Sequence, residues 1–148
     1  ALCAALDIGT TTVAARALCG RGVGEQPGRV CWAAKSAGGI RRRRSLPHGE
    51  GTGRGCTVRD GIIDCLDDLL TELMQMAQAR PAQIRELVIT GNTAMLYLLT
   101  GRDTACLSKA PFLPEHLFGD EITAEALGLH AVKASRVYLR TVPLLLLG

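Results

Sequence analysis

The sequence predicts an α/β fold, and three observations carry that reading. Short apolar runs separated by turn residues open the chain: "ALCAALDIGTTTVAARAL" reads as strand, turn, strand. A long amphipathic stretch, "GIIDCLDDLLTELMQMAQA", follows and gives way to the apolar strand "IRELVIT". That strand passes through "GNT" directly into a second helical run, "AMLYLLTG". The expected order is β-β-β-α-β-α-β, a mixed sheet of about five strands flanked by helices.

Each element has a local reason. The first hairpin turns at Ile8-Gly9-Thr10, where its polar residues are concentrated, and "GRVCWAA" supplies a third strand. Asp60 is the expected N-cap of the long helix. Ile62, Ile63, Leu66, Leu69, Leu70, Leu73 and Met76 then fall on one face at helical spacing, and Pro81 stops or restarts the helix. Asp64, Asp67, Asp68 and Glu72 read as its solvated side, and Met74, Met76 and Met95 as core. Residues 102–133 read as loops with a short helix around "AEALGL", and "RVYLRTVPLLLL" contains the last strand.

The composition excludes several classes of function. Of 148 residues, 47% are apolar and 21% charged, as in an ordinary globular domain with a real core. The net charge is +3, and Arg41 to Arg44 alone supply four positive charges, so the rest is about neutral. That argues against a broad basic face for nucleic acid, and Trp32 is the one aromatic near the arginines. No run is long enough to span a membrane, so neither a nucleic-acid nor a membrane partner is expected. Six cysteines without a CxxC pair read as reduced, mostly buried thiols of a cytoplasmic protein. His48, His116 and His130 show no partner pattern and read as surface or turn residues. The start at Ala1 and the stop inside an apolar run suggest a piece of something longer.

Two strand ends carry the chemistry. In "LDIGTTT", Asp7 ends a buried strand, where a carboxylate is costly unless it is paired or binds a cation. Gly9 lets the backbone approach a phosphate, and the hydroxyls of Thr10, Thr11 and Thr12 can join exposed N–H groups around its oxygens. Asp7 beside them suits Mg²⁺ held through water. The plain alternative is a hairpin turn in which Asp7 caps backbone amides. In "VITGNTAML", Gly91, Asn92 and Thr93 precede a helix N-terminus, a natural anion site, or else a simple N-cap. In a doubly wound sheet both loops leave the carboxyl ends of neighbouring strands and face one crevice.

With these residues in place, the chain resembles a known family. "LDIGTTTVAA", the amphipathic helix, "ELVITGNTAMLYLLTG", "APFLPE", "ALGL" and "VYL" follow the motif order of the actin/sugar-kinase/heat-shock ATPase domain of the reductive activators of corrinoid proteins. "DIGTTT" is shared across that superfamily, whereas the run from "GNTAM" to the "PF.P" motif is far more specific. The resemblance spans most of the chain, from Leu2 to Leu139. It implies a ribonuclease H-like, actin-like subdomain: residues 1–148 as the first half of an ATPase fold that binds nucleotide between two such domains. It assigns Asp7, Gly9, Thr10, Thr11 and Thr12 to the first phosphate loop, Asp7 to hydrated Mg²⁺, and Gly91, Asn92 and Thr93 to the same cleft. ATP and Mg²⁺ are the implied cofactors, with a 2Fe-2S cluster expected only in an N-terminal domain outside this chain. The implied partner is a corrinoid protein or a corrinoid-dependent methyltransferase, and a homodimer is compatible with it. The implied activity is ATP-driven reduction of an inactive Co(II) corrinoid to Co(I). Two other readings stay open: a small-molecule phosphotransferase of the same superfamily and a non-enzymatic actin-like module.

Residues 35–56 depart from the family. It carries a stretch of the form NPQ-x-x-(F/Y)-G-A-D-V-x-S-R where this chain has "KSAGGIRRRRSLPHG". Codons compatible with that peptide translate as NPQAAFGADVLSRME when read one base later. The observed residues set both outer bases of about half of the shifted codons and one outer base of nearly all the others, so Lys35 to about Gly51 reads as an out-of-frame translation with the frame restored before Thr57. The competing reading is a genuine, disordered basic loop.

Overall fold

The opening hairpin forms as its alternation requires. In β1 (Leu2–Ile8) the side chains of Ala4, Leu6 and Ile8 are buried, while Asp7 on the other face is exposed. β1 runs antiparallel to β2 (Thr12–Cys19), from Leu2↔Cys19 to Ile8↔Val13, and β2 antiparallel to β3 (Val30–Ser36). This computed structural model describes residues 2–9, 12–19, 30–36, 58–111 and 113–142. From residue 37 onward the anomalous 35–56 segment lies outside them, as do residues 143–148.

Helix α1 (Val58–Ala77) packs Ile62, Leu66, Leu69, Leu70 and Leu73 fully inside, each worth about 1.5–3 kcal/mol of apolar burial. Two expectations for this helix are corrected. Val58 and Arg59 are already helical, so Asp60 sits inside the first turn rather than at the cap. Met76 is 42% exposed; Met74, two residues earlier, points inward instead. After a 3₁₀ turn at Pro81–Gln83, β4 (Ile84–Gly91) enters parallel beside β1 and leads into α2 (Thr93–Thr100). Then come α3 (Ala105–Ser108), β5 (Glu121–Thr123), α4 (Ala124–Leu127) and β6 (Arg136–Thr141). β6 is parallel to β4, and β5 pairs antiparallel on its outer edge.

The sheet order is therefore β3-β2-β1-β4-β6-β5. An antiparallel meander is joined to a parallel trio, the mixed sheet expected of a ribonuclease H-like, actin-like fold. The sixth strand, β5, lies within residues expected to be loop and short helix; three residues are too few to show a period.

Polar contacts fix how the helices meet this sheet. The Arg59 guanidinium donates to Leu99 O at 2.9 Å and to Leu127 O at 2.5 Å, placing a cation at the carboxyl ends of both α2 and α4. Those helices end in left-handed glycines, Gly101 (φ 73°) and Gly128 (φ 97°). Asp67 is not simply solvated: its carboxylate accepts from His130 N at 3.0 Å and from Ala131 N at 2.9 Å, tying the loop after α4 to α1. Asp64 and Asp68 also have partners, while Glu72 is exposed as expected. Cys3, Cys65 and Cys106 are half-buried rather than buried. Among the described residues no helix is long and apolar enough to cross a membrane.

Candidate functional site

The parallel register of β1 and β4 brings the two sequence-predicted loops together. Asp7 stands opposite Thr90 and Ile8 opposite Gly91, so both strands end side by side and their loops leave in the same direction. β6 continues the alignment, with Thr90↔Arg140 and Gly91↔Thr141. The carboxyl ends of β1, β4 and β6 thus lie side by side, the place where ligand crevices form in open parallel sheets.

Asp7 is exposed, and its Oδ1 accepts a hydrogen bond from the Thr90 hydroxyl at 2.9 Å. Gly9 closes the hairpin turn by donating its N–H to Thr12 O at 2.9 Å. A Cβ on Gly9 would lie 2.7 Å from that carbonyl oxygen, so no side chain fits without moving the turn. The glycine's contribution is therefore close approach. Its own N–H is committed to that turn and is not a donor for an anion. Thr12 is exposed at the start of β2; Thr10 and Thr11 lie outside the described residues.

On the second loop, Gly91 is buried against β1. A Cβ there would come within 3.2 Å of Ile8 O and 3.5 Å of Leu96 Cδ2. Asn92 is the N-cap of α2, its side chain accepting from Met95 N at 2.9 Å, so the plain capping role read for it is present. Thr93 is half-buried as the first helical residue. The remaining N–H groups of that first turn have no intrahelical acceptor and lie at the strand ends with the positive end of the helix dipole.

These donors fit a phosphate with a hydrated cation. Among the described residues no group of three or more His, Cys, Asp or Glu is placed to hold a metal ion. A cation at this strand end would have Asp7 as its one carboxylate, a donor set that would suit hydrated Mg²⁺. The cradle is steric as well, since Gly9 and Gly91 both stand where a Cβ would press on backbone carbonyls. The hydroxyl of Thr141 at the end of β6 is buried, and among the described residues it has no hydrogen-bond partner.

Sequence reasoning missed Thr90. Thr90 was legible only as one polar residue in an apolar strand, and its partner Asp7 is 83 residues away. His116 lies in a loop, where its Nε2 is 2.6 Å from Asp120 Oδ2. Its backbone N–H donates to the hydroxyl of buried Tyr97 at 2.7 Å, and its ring stacks edge-on against Phe118. His130 is exposed, as expected, and His48 lies outside the described residues. A cavity of about 300 Å³ is lined by Asp103, Cys106, Lys109 and Glu115 among others. It includes no residue of β1, β4 or α2, so it does not compete for the strand-end site.

The motifs and this geometry can be set beside known proteins. The family model for the RACo middle region matches residues 48–144, well over half of the chain. The chain belongs to the RACo middle region family. Among solved structures it is similar to a protein titled "Reductive activator for corrinoid, iron-sulfur protein", with 21% identity and a TM-score of 0.70. That likeness covers 93% of this chain and 22% of the other, so the chain spans about a fifth of that protein, and at this identity it shows the shared fold. An Aquifex aeolicus Ppx/GppA phosphatase is 10% identical with a TM-score of 0.38, over 95% of this chain and 35% of its own, too low to support any inference. No curated protein matches the chain. RACo middle region membership agrees with the motif order from "GNTAM" to "VYL", and the shared fold with the β1–β4–β6 alignment.

Proposed function

We propose that this chain is the first half of the ATPase domain of a cytoplasmic, ATP-dependent reductive activator of corrinoid proteins. The observation that supports it best is the paired strand end: Asp7 and Thr90 in register, with Gly9 and Gly91 beside them. In this reading Gly9 and Thr10 to Thr12 approach a nucleotide phosphate, and Gly91, Asn92 and Thr93 line the same cleft. Asp7 would hold Mg²⁺ through its water, and the bound ion would screen the phosphate charge. The rest of the nucleotide pocket and any iron–sulfur cluster belong to other parts of the parent polypeptide. Bound nucleotide would hold the cleft closed, and the closed form would stabilise the complex with the corrinoid partner, in which an electron from the parent polypeptide's iron–sulfur cluster would take Co(II) to Co(I).

Calorimetry provides the test on this chain. Residues 1–148 alone should bind Mg-ATP weakly, because half of the cleft is missing; micromolar binding would contradict the half-domain reading. In the longer polypeptide, ATP turnover should rise on adding the corrinoid protein, and turnover indifferent to it would instead favour a phosphotransferase. Lys35 to about Gly51 we read as translated out of frame. Resequencing the DNA from the Val30 codon to the Asp60 codon should restore an NPQ-to-SR stretch, and confirmation of the present frame would make the arginine loop genuine.

A further inference from the structure

We propose that Thr90 is a positioning residue for the cation site: its hydroxyl holds the Asp7 carboxyl so that Oδ1 is engaged and Oδ2 is left to receive the metal's water shell. This rests on the reading of Asp7 as the Mg²⁺ residue. The geometry carries it in three steps. Thr90 has one hydroxyl proton and two acceptors in range, Asp7 Oδ1 at 2.9 Å and Leu6 O at 3.4 Å, so the proton goes to the carboxylate. Thr90 is half-buried in β4 and β-branched, hence stiff at χ1, whereas Asp7 is exposed and free to turn. Among the described residues, Thr90 makes the one hydrogen bond to the Asp7 side chain. Without it the carboxyl samples rotamers that a single-carboxylate cation site cannot use.

Paramagnetic broadening in ¹H–¹⁵N spectra of the 148-residue chain tests this with Mn²⁺ alone as the probe, since broadening reports millimolar sites. In the wild type, Mn²⁺ should broaden the amide signals of Ile8, Gly9 and Gly91 first. Thr90→Val keeps the side-chain shape and removes the hydroxyl; it should raise the Mn²⁺ concentration for half-broadening about threefold to tenfold. Thr90→Ser should restore most of the loss, which a merely structural role for the threonine would not predict. Asp7→Asn should abolish selective broadening. If Asp7→Asn abolishes it but Thr90→Val leaves it unchanged, the positioning role is wrong while the cation reading stands. Broadening indifferent to Asp7→Asn overturns both. Unchanged chemical-shift dispersion in Thr90→Val separates any effect from loss of fold.

Discussion

The same three strands carry polar rows at both ends, and the two rows behave differently. Near the amino ends Cys3, Glu86 and Arg136 stand in register; near the carboxyl ends Asp7, Thr90 and Arg140 do. The first row is closed upon itself. Glu86 accepts from the Cys3 thiol at 3.7 Å and lies 3.9 Å from Arg136, whose other nitrogen reaches Glu121 at 3.7 Å. The second row adjoins two glycine loops and a helix N-terminus, and there only one Asp7 oxygen is engaged among the described residues. A row whose charges neutralise one another needs no ligand. A row that pins a carboxylate beside bare backbone is shaped to receive one.

Substitutions can break this contrast, and the largest effect belongs to the carboxyl end. Gly9→Ala drives a Cβ to 2.7 Å from Thr12 O; it should cost about 1–3 kcal/mol by urea denaturation and shift the hairpin-turn signals. Gly91→Ala meets Ile8 O at 3.2 Å and should cost less, because the strand pair can give by a few tenths of an ångström. At the amino end, Glu86→Ala should lose at most about 1 kcal/mol and less in high salt, since its ion pair is long and both partners are well exposed. Asp7→Asn should leave denaturation midpoints nearly unchanged, within about 0.5 kcal/mol, while removing the Mn²⁺ response. The smallest effect is a pH dependence. Burial, and after it the Glu86 carboxylate, raises the Cys3 thiol above its ordinary value. The folded chain then holds that proton more tightly than the unfolded one, so this contribution is full below about pH 8.5 and fades as pH climbs through the raised value. Cys3→Ala should flatten that alkaline slope, and an unchanged slope would show the amino-end row to be less closed than described.

Much of the fold was legible locally. Alternation in "ALCAALDI", the helical face from Ile62 to Leu73 and the Asn92 cap each follow from neighbours within a few residues, and the structure keeps them. What failed was non-local. Met76 continues the helical period yet lies beyond the edge of what α1 covers, and Asp67 looks solvated until the loop at His130 and Ala131 folds onto it. β5 exists because β6 offers an edge for three residues to pair with.

By itself, then, the sequence determined the elements, the glycine turns and the residue types at the two strand ends, because periodicity and backbone sterics act over a few residues. Only the tertiary structure decided that β1 and β4 pair in parallel with Asp7 opposite Thr90, that Arg59 reaches the carboxyl ends of α2 and α4, and that the Thr141 hydroxyl is buried at the third strand end. Register between strands more than seventy residues apart depends on which apolar faces meet in the core, and no local pattern encodes it.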